Sequence, residues 1–146
     1  MTRALPALVL SAVLAALAVP AFAADIGQVK TAAGEVAIER AGATIAAKPG
    51  TRLETSDVVR TGPNGSIGIT MNDNALLSLG PNSVLALDAF AFDATTHQGK
   101  MDATLSKGTL SVVSGKLSKQ SPEAVKVRTP ASVLGVRGTE FLVKVD

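Results

Sequence analysis

The stretch GPNGSIGITMNDNALLSLGPNSVLAL, residues 62–87, sets the fold class. Ile67, Ile69 and Met71 alternate with Ser66, Gly68 and Thr70; Leu77 with Leu79, then Leu85 with Leu87, keep the same period of two. That alternation marks strands with one face on a core and the other in water. Between the runs stand Gly62-Pro63-Asn64-Gly65, Asn72-Asp73-Asn74 and Gly80-Pro81-Asn82, residues that turn the backbone tightly or preset φ.

The pattern extends in both directions. Upstream, Val36 and Ile38 oppose Glu35 and Glu39, followed by a turn at Pro49-Gly50. Downstream, Leu110 and Val112 alternate with Thr109, Ser111 and Val113, and a turn follows at Ser121-Pro122. The last run sets Thr139, Phe141, Val143 and Val145 against Glu140, Leu142 and Lys144. The spacing predicts an all-β single domain of short antiparallel or solenoid-like strands, a β-roll or a sandwich. No amphipathic helix is expected after residue 24. Gly-Pro-Asn occurs at 62–64 and again at 80–82, each time ahead of an apolar strand. This echo leaves a solenoid-like roll and a closed sandwich or barrel both open. Phe90–Lys100 and Gly115–Glu123 read as longer surface loops, the second carrying Lys116 and Lys119. Loops are where binding residues concentrate.

The first residues concern export. Arg3 precedes an uncharged run from Ala4 to Ala24, rich in Ala, Leu and Val, that closes with Pro20-Ala21-Phe22-Ala23. Pro20 breaks an apolar helix, and small residues at Ala21 and Ala23 suit a signal peptidase pocket. Residues 1–23 are therefore expected to form a signal-peptide helix cleaved after Ala23, leaving the all-β domain at 24–146. An uncleaved N-terminal anchor is the alternative, because the run is nearly long enough to span a bilayer. Twin Arg and a lipid-accepting Cys are absent, so a lipoprotein is excluded. The expected location is periplasmic or otherwise extracytoplasmic, with no stable membrane insertion after cleavage.

Composition narrows the chemistry. The absence of Cys excludes thiol catalysis, iron–sulfur clusters and thiolate zinc sites. After Phe22 the aromatics are Phe90, Phe92 and Phe141, with no Trp or Tyr. Single-stranded nucleic-acid binders need stacking platforms, so nucleic acid is not an expected partner. Charge is uneven: residues 24–99 hold five basic and eight acidic side chains, whereas residues 100–146 hold eight and four. A basic C-terminal part can meet an acidic partner or an anionic wall polymer.

His97 is the one histidine, in a polar loop whose neighbours Asp93 and Asp102 are poor support for a metal. Gly-x-Ser-x-Gly is missing, and Asp73 lacks the spacing and terminal Glu of a calcium loop, so it reads as a turn former. Glu54, Asp57, Asp73 and Asp88 fall at strand ends or turns, where solvated acids are ordinary. The chain is expected to be non-enzymatic, with no catalytic or metal residues and no cofactor.

Four motifs in order resemble the FecR domain family: Asp57-Val58-Val59-Arg60-Thr61-Gly62-Pro63-Asn64-Gly65, Leu79-Gly80-Pro81-Asn82-Ser83, Val127-Arg128-Thr129-Pro130, and Gly135-Val136-Arg137-Gly138-Thr139-Glu140-Phe141. One departure is Ser56, where such sequences commonly carry Gly. The resemblance implies an extracytoplasmic domain that receives a signal from an outer-membrane transporter in iron-siderophore uptake. Related regulators pass it through a membrane helix to a sigma factor, and this sequence shows neither that helix nor an anti-sigma segment. The expected role is a protein-interaction module in envelope signalling or assembly, possible links to iron uptake included; a wall- or polysaccharide-binding module is the alternative. In the motifs, Gly62, Gly80, Pro63 and Pro81 are expected to form turns, Asn64 and Asn82 to close Asx-turns, and Gly138 to bend the chain before the last strand. Arg137 and Glu140 either pair inside the domain or face a partner. Arg128, Lys116 and Lys119 complete the partner-binding candidates. The final strand is expected at a sheet edge, open to a partner strand.

Overall fold

The computed structural model describes residues 24–135 and 138–146. The predicted signal peptide and Arg137 lie outside them. The chain runs β1 (Asp25–Ala33), β2 (Val36–Arg40), β3 (Ala43–Ala46), β4 (Arg52–Glu54), β5 (Val58–Thr61), β6 (Ser66–Met71), β7 (Leu76–Leu79), β8 (Val84–Phe92) and β9 (Gly99–Val113). Then come a one-turn helix α1 (Lys116–Gln120), a 3-10 turn (Pro122–Ala124), β10 (Val125–Arg128), β11 (Val133–Gly135) and β12 (Glu140–Val145). The fold is all-β, as expected.

The strands form one sheet that curls into a half-barrel. Its backbone order is β3-β2-β5-β8-β9-β7-β6-β1-β4, with neighbours antiparallel. The 15-residue β9 belongs to both halves. Its first part pairs with β8 and, in parallel, with β10, while its second part pairs with β7 and β12. Successive antiparallel neighbours are not the stacked parallel rungs of a solenoid, so that alternative falls. The sheet turns its apolar side inward, and one hydrophobic cluster joins both halves. Ile67, Ile69, Leu77, Leu79, Leu110 and Val112 come from one; Ile38, Val59, Leu85, Leu105, Val125 and Val127 come from the other. Each is at most 3% exposed, so truncation of a Leu here to Ala costs about 2–5 kcal/mol.

The curl is made at one corner, and the Gly-Pro-Asn echo builds it. The turn at 62–65 carries the chain from β5 to β6, and the turn at 80–82 carries it back from β7 to β8. The two turns are bonded together. Asn82 N–H donates to the Gly62 carbonyl (3.0 Å) and Thr61 N–H to that of Ser83 (2.9 Å). The Thr61 hydroxyl donates to the Gly80 carbonyl (2.6 Å) and accepts from Ser83 N–H (2.9 Å). The third crossing is β9 itself, which bends at Gly108 (φ +94°). A Cβ on Gly108 would lie 2.0 Å from Ser83 Oγ, and that same Oγ accepts Thr109 N–H (3.0 Å). Asn82 contributes its left-handed φ of +53° rather than the expected Asx-turn. The Asx-turns are made instead by Asp73 and Asp93, whose carboxylates accept Ala75 and Thr95 N–H.

Several expectations need correction. The loop in Phe90–Lys100 is shorter than expected: Asp93–Gln98 connects β8 to β9, and the residues on either side belong to those strands. Gly115–Glu123 holds a helix and a 3-10 turn, because buried Leu117 anchors one turn and Asp73 fixes its start. The Asp73 carbonyl accepts Lys116 N–H (2.8 Å), and its Oδ2 accepts Leu117 N–H (3.3 Å). Nor are all four turn acids solvated: Asp57 is 0% and Asp73 1% exposed.

Candidate functional site

An open cleft of about 710 Å³ is lined by Ser118, Lys119, Pro122, Glu123, Lys126, Val133, Gly135 and Gly138. Three pieces of chain make it. Helix α1 supplies Ser118 and Lys119, and the 3-10 turn supplies Pro122 and Glu123. Strands β10 and β11 form the far wall, held in register Lys126↔Gly135 to Arg128↔Val133. The inner end is tied by buried hydroxyls. Ser118 Oγ donates to Ser114 Oγ (3.4 Å), Ser114 Oγ donates to the Gly138 carbonyl (2.8 Å), and Ser114 N–H donates to the Thr139 carbonyl (2.8 Å). This chain of bonds fixes α1 against the lead-in to β12, where Gly138 bends with φ +90° as expected.

The cleft combines two ammonium groups and one carboxylate with the apolar faces of Pro122 and Val133, the latter 53% exposed. Such a lining suits an extended acidic segment with an apolar anchor. Of the partner-binding candidates among the described residues, Lys119 alone lines it. Lys126 was missed; its alternation in Val125–Arg128, with Val125 and Val127 buried and Lys126 and Arg128 exposed, was the available signal. Lys116 is exposed at the start of α1. Arg128 reaches Asp102 on β9 at 4.0 Å, an ion pair half open to water. Glu140 opens β12 opposite Val113, on the outward face.

No group of three His, Asp or Glu side chains among the described residues is placed to hold a metal. His97 stacks on Phe92 with ring centroids 5.7 Å apart, which gives that loop residue a packing role.

A second polar cluster sits at the opposite end of β5. Buried Asp57 takes a bidentate grip from Arg40, Nε to Oδ1 at 2.9 Å and Nη2 to Oδ2 at 2.7 Å, and Oδ2 also accepts Glu54 N–H (2.9 Å). Arg40 further donates to the Arg52 carbonyl (3.0 Å) and lies 3.3 Å from Glu54. Its guanidinium is held above the ordinary arginine range, chiefly by the hydrogen bond to Asp57 and against the opposing effect of burial. Beside it, Ser56 adopts φ +74° while donating its N–H to the Leu87 carbonyl (2.7 Å). A left-handed conformation of this kind favours glycine, which has no Cβ to strain.

Comparison with protein families gives a match to the FecR protein model over residues 57–146. The chain belongs to the FecR family. No curated protein and no solved structure matches it. The FecR match begins at the buried Asp57, takes in the whole corner of Thr61, Gly62, Gly80, Ser83 and Gly108, and contains every lining residue of the cleft. Arg40, the partner of Asp57, stands before it.

Proposed function

We propose that this FecR-family protein is an exported, non-catalytic protein-interaction module of the cell envelope, acting in signalling or assembly, and that the cleft between α1 and β10–β11 receives its partner. The cleft carries the reading: Lys119 and Lys126 face a concavity floored by small and apolar residues, inside the family-matched span. The partner is an envelope protein offering an acidic segment. FecR-family regulators work in iron-siderophore signalling, which makes that pathway the first place to look. Among the described residues no helix is long and apolar enough to cross a membrane.

The test places a photo-crosslinking residue at Lys119 or Lys126 in the native envelope and identifies what is captured by mass spectrometry. A transporter or membrane-bound regulator captured at both positions, and lost in a Lys119→Glu/Lys126→Glu variant, supports the reading. Capture of wall fragments alone, with salt-sensitive binding to purified peptidoglycan, replaces it with the wall-binding alternative that the same lysines allow. A loss of phenotype in His97→Ala equal to that of the lysine variant would argue against a non-catalytic role.

A further inference from the structure

We infer that β12 is a self-association edge, at which two copies of this chain pair antiparallel about a two-fold axis through Leu142.

The open side of the strand is the first observation. β12 takes β9 on one side, in unbroken register from Glu140↔Val113 to Val145↔Gly108, and no other described strand pairs with it. The other ends of the sheet are β3, β4 and β11, of four, three and three residues. Short edge strands offer little template for pairing, whereas β12 has six residues, no bulge and no proline.

The phase of the hydrogen bonds is the second observation. Ser114 N–H donates to the Thr139 carbonyl (2.8 Å), so 139 and 114 form a narrow pair. Alternation along an antiparallel ladder then directs the peptide groups of Phe141, Val143 and Val145 to β9. Those of Glu140, Leu142 and Lys144 point to the open side.

The side chains are the third. Leu142 is 69% exposed, the most exposed large apolar residue described, and Val113 beside Glu140 on the same outward face is 37% exposed. A two-fold at Leu142 sets Leu142 against its own copy and Glu140 against Lys144 twice, all three in narrow pairs. About six main-chain hydrogen bonds result, two per narrow pair. Phe141 meets Val143 on the inner face. Shifting the axis by one residue sets Leu142 against Glu140 or Lys144 and breaks both charge pairs, so this register is selected. The contact is isologous and closes on itself, giving a dimer and not a fibre. It uses a surface separate from the cleft and stands whether or not the cleft binds a partner.

The experiment uses protein purified from cells expressing the full chain, with mass measured by light scattering across a concentration series. A reversible dimer is expected. Glu140→Lys and Lys144→Glu should each weaken it by about tenfold, since two attractive cross-strand pairs become repulsive, and the double swap should restore it. The chain has no Cys, so Leu142→Cys should link its two copies on mild oxidation. Its Cα atoms would stand about 5.5 Å apart, within disulfide reach. Lys144→Cys, which faces Glu140, should not link. Circular dichroism of each variant guards against misfolding, which is not expected at these exposed positions. A monomer at every concentration overturns the proposal, and so does pairing with the strand of a different protein only. A dimer in which Lys144→Cys links as readily as Leu142→Cys, or which the double swap fails to restore, places the contact elsewhere and also overturns it.

Discussion

Removing Arg40 should destabilise the fold well beyond the usual effect of a half-exposed side chain. Asp57 is fully buried and accepts three hydrogen bonds, two of them from Arg40. In Arg40→Ala the carboxylate keeps the Glu54 N–H alone. Breaking a buried pair by removing one partner costs about 3–5 kcal/mol. Arg40 retains 29% exposure, so water can approach from its side and the lower end, about 3 kcal/mol, is the better figure. For a chain of this size that lowers Tm by roughly 10–20 °C, measured by circular dichroism and matched by urea denaturation. The decisive quantity is the coupling. Arg40→Ala, Asp57→Ala and the double variant should show at least about 1.5 kcal/mol of non-additivity, because the double variant leaves no buried charge. Additivity within about 0.5 kcal/mol would refute the reasoning. The pH dependence has a definite sign. A raised arginine pKa contributes stability that is present below its ordinary titration range and lost only as pH rises past it. The gap between wild type and Arg40→Ala should therefore stay level from neutral pH through the alkaline range in which lysines titrate.

Three further outcomes follow from backbone and corner geometry. Ser56→Gly should raise stability by about 0.5–1 kcal/mol in the same urea titration, since φ +74° strains a residue with a Cβ by about 1–2 kcal/mol and the flexible unfolded chain returns part of that. Gly108→Ala should cost about 3 kcal/mol, through φ +94° and a Cβ driven onto Ser83; Ser83→Ala alone should cost about 1–2 kcal/mol, through the orphaned Thr109 N–H. Asp73→Ala should speed hydrogen exchange at Ala75 and Leu117 by at least about tenfold while leaving β8 protected, because the Asp73 carboxylate accepts both amides.

The sequence carried the strands whose burial alternates cleanly. β6 buries every second residue from Ile67 to Met71, and Leu142 stands outward on β12 as the pattern requires. β1 escaped because a bulge between Asp25 and Gly27 shifts its phase, so buried Ile26 and Val29 lie three residues apart, and a second irregularity follows between Val29 and Thr31. Helix α1 escaped for a different reason. One turn of five residues is too short for a period of 3.6 to show, and its start is fixed by Asp73, 44 residues upstream of Leu117. The length of β9 was hidden by Gly108, whose turn-like signal is a bend inside one strand. Of the cleft, Lys119 was legible as an exposed loop lysine. Its meeting with Lys126 depends on the parallel pairing of β10 with β9, a long-range contact that no local pattern encodes.

The family motifs and the interaction surfaces make separate demands on this chain. Thr61, Gly62, Gly80, Ser83 and Gly108 are bonded or fitted to one another at the corner, and Asp57 is consumed by Arg40 and Glu54. The Asp57, Thr61 and Ser83 side chains are buried and bonded within the domain, and changing them alters the curl before it alters any surface. The groups that remain available, Lys119 and Lys126 in the cleft and Glu140, Leu142 and Lys144 on β12, are held by elements that the corner positions but does not use. β9 links the two regions physically: its first half seats β10 behind the cleft, its second half seats β12 at the edge, and Gly108 sets the angle between them. A change at Gly108 should thus disturb cleft and edge together, whereas changes at Lys126 or Leu142 should act on one alone.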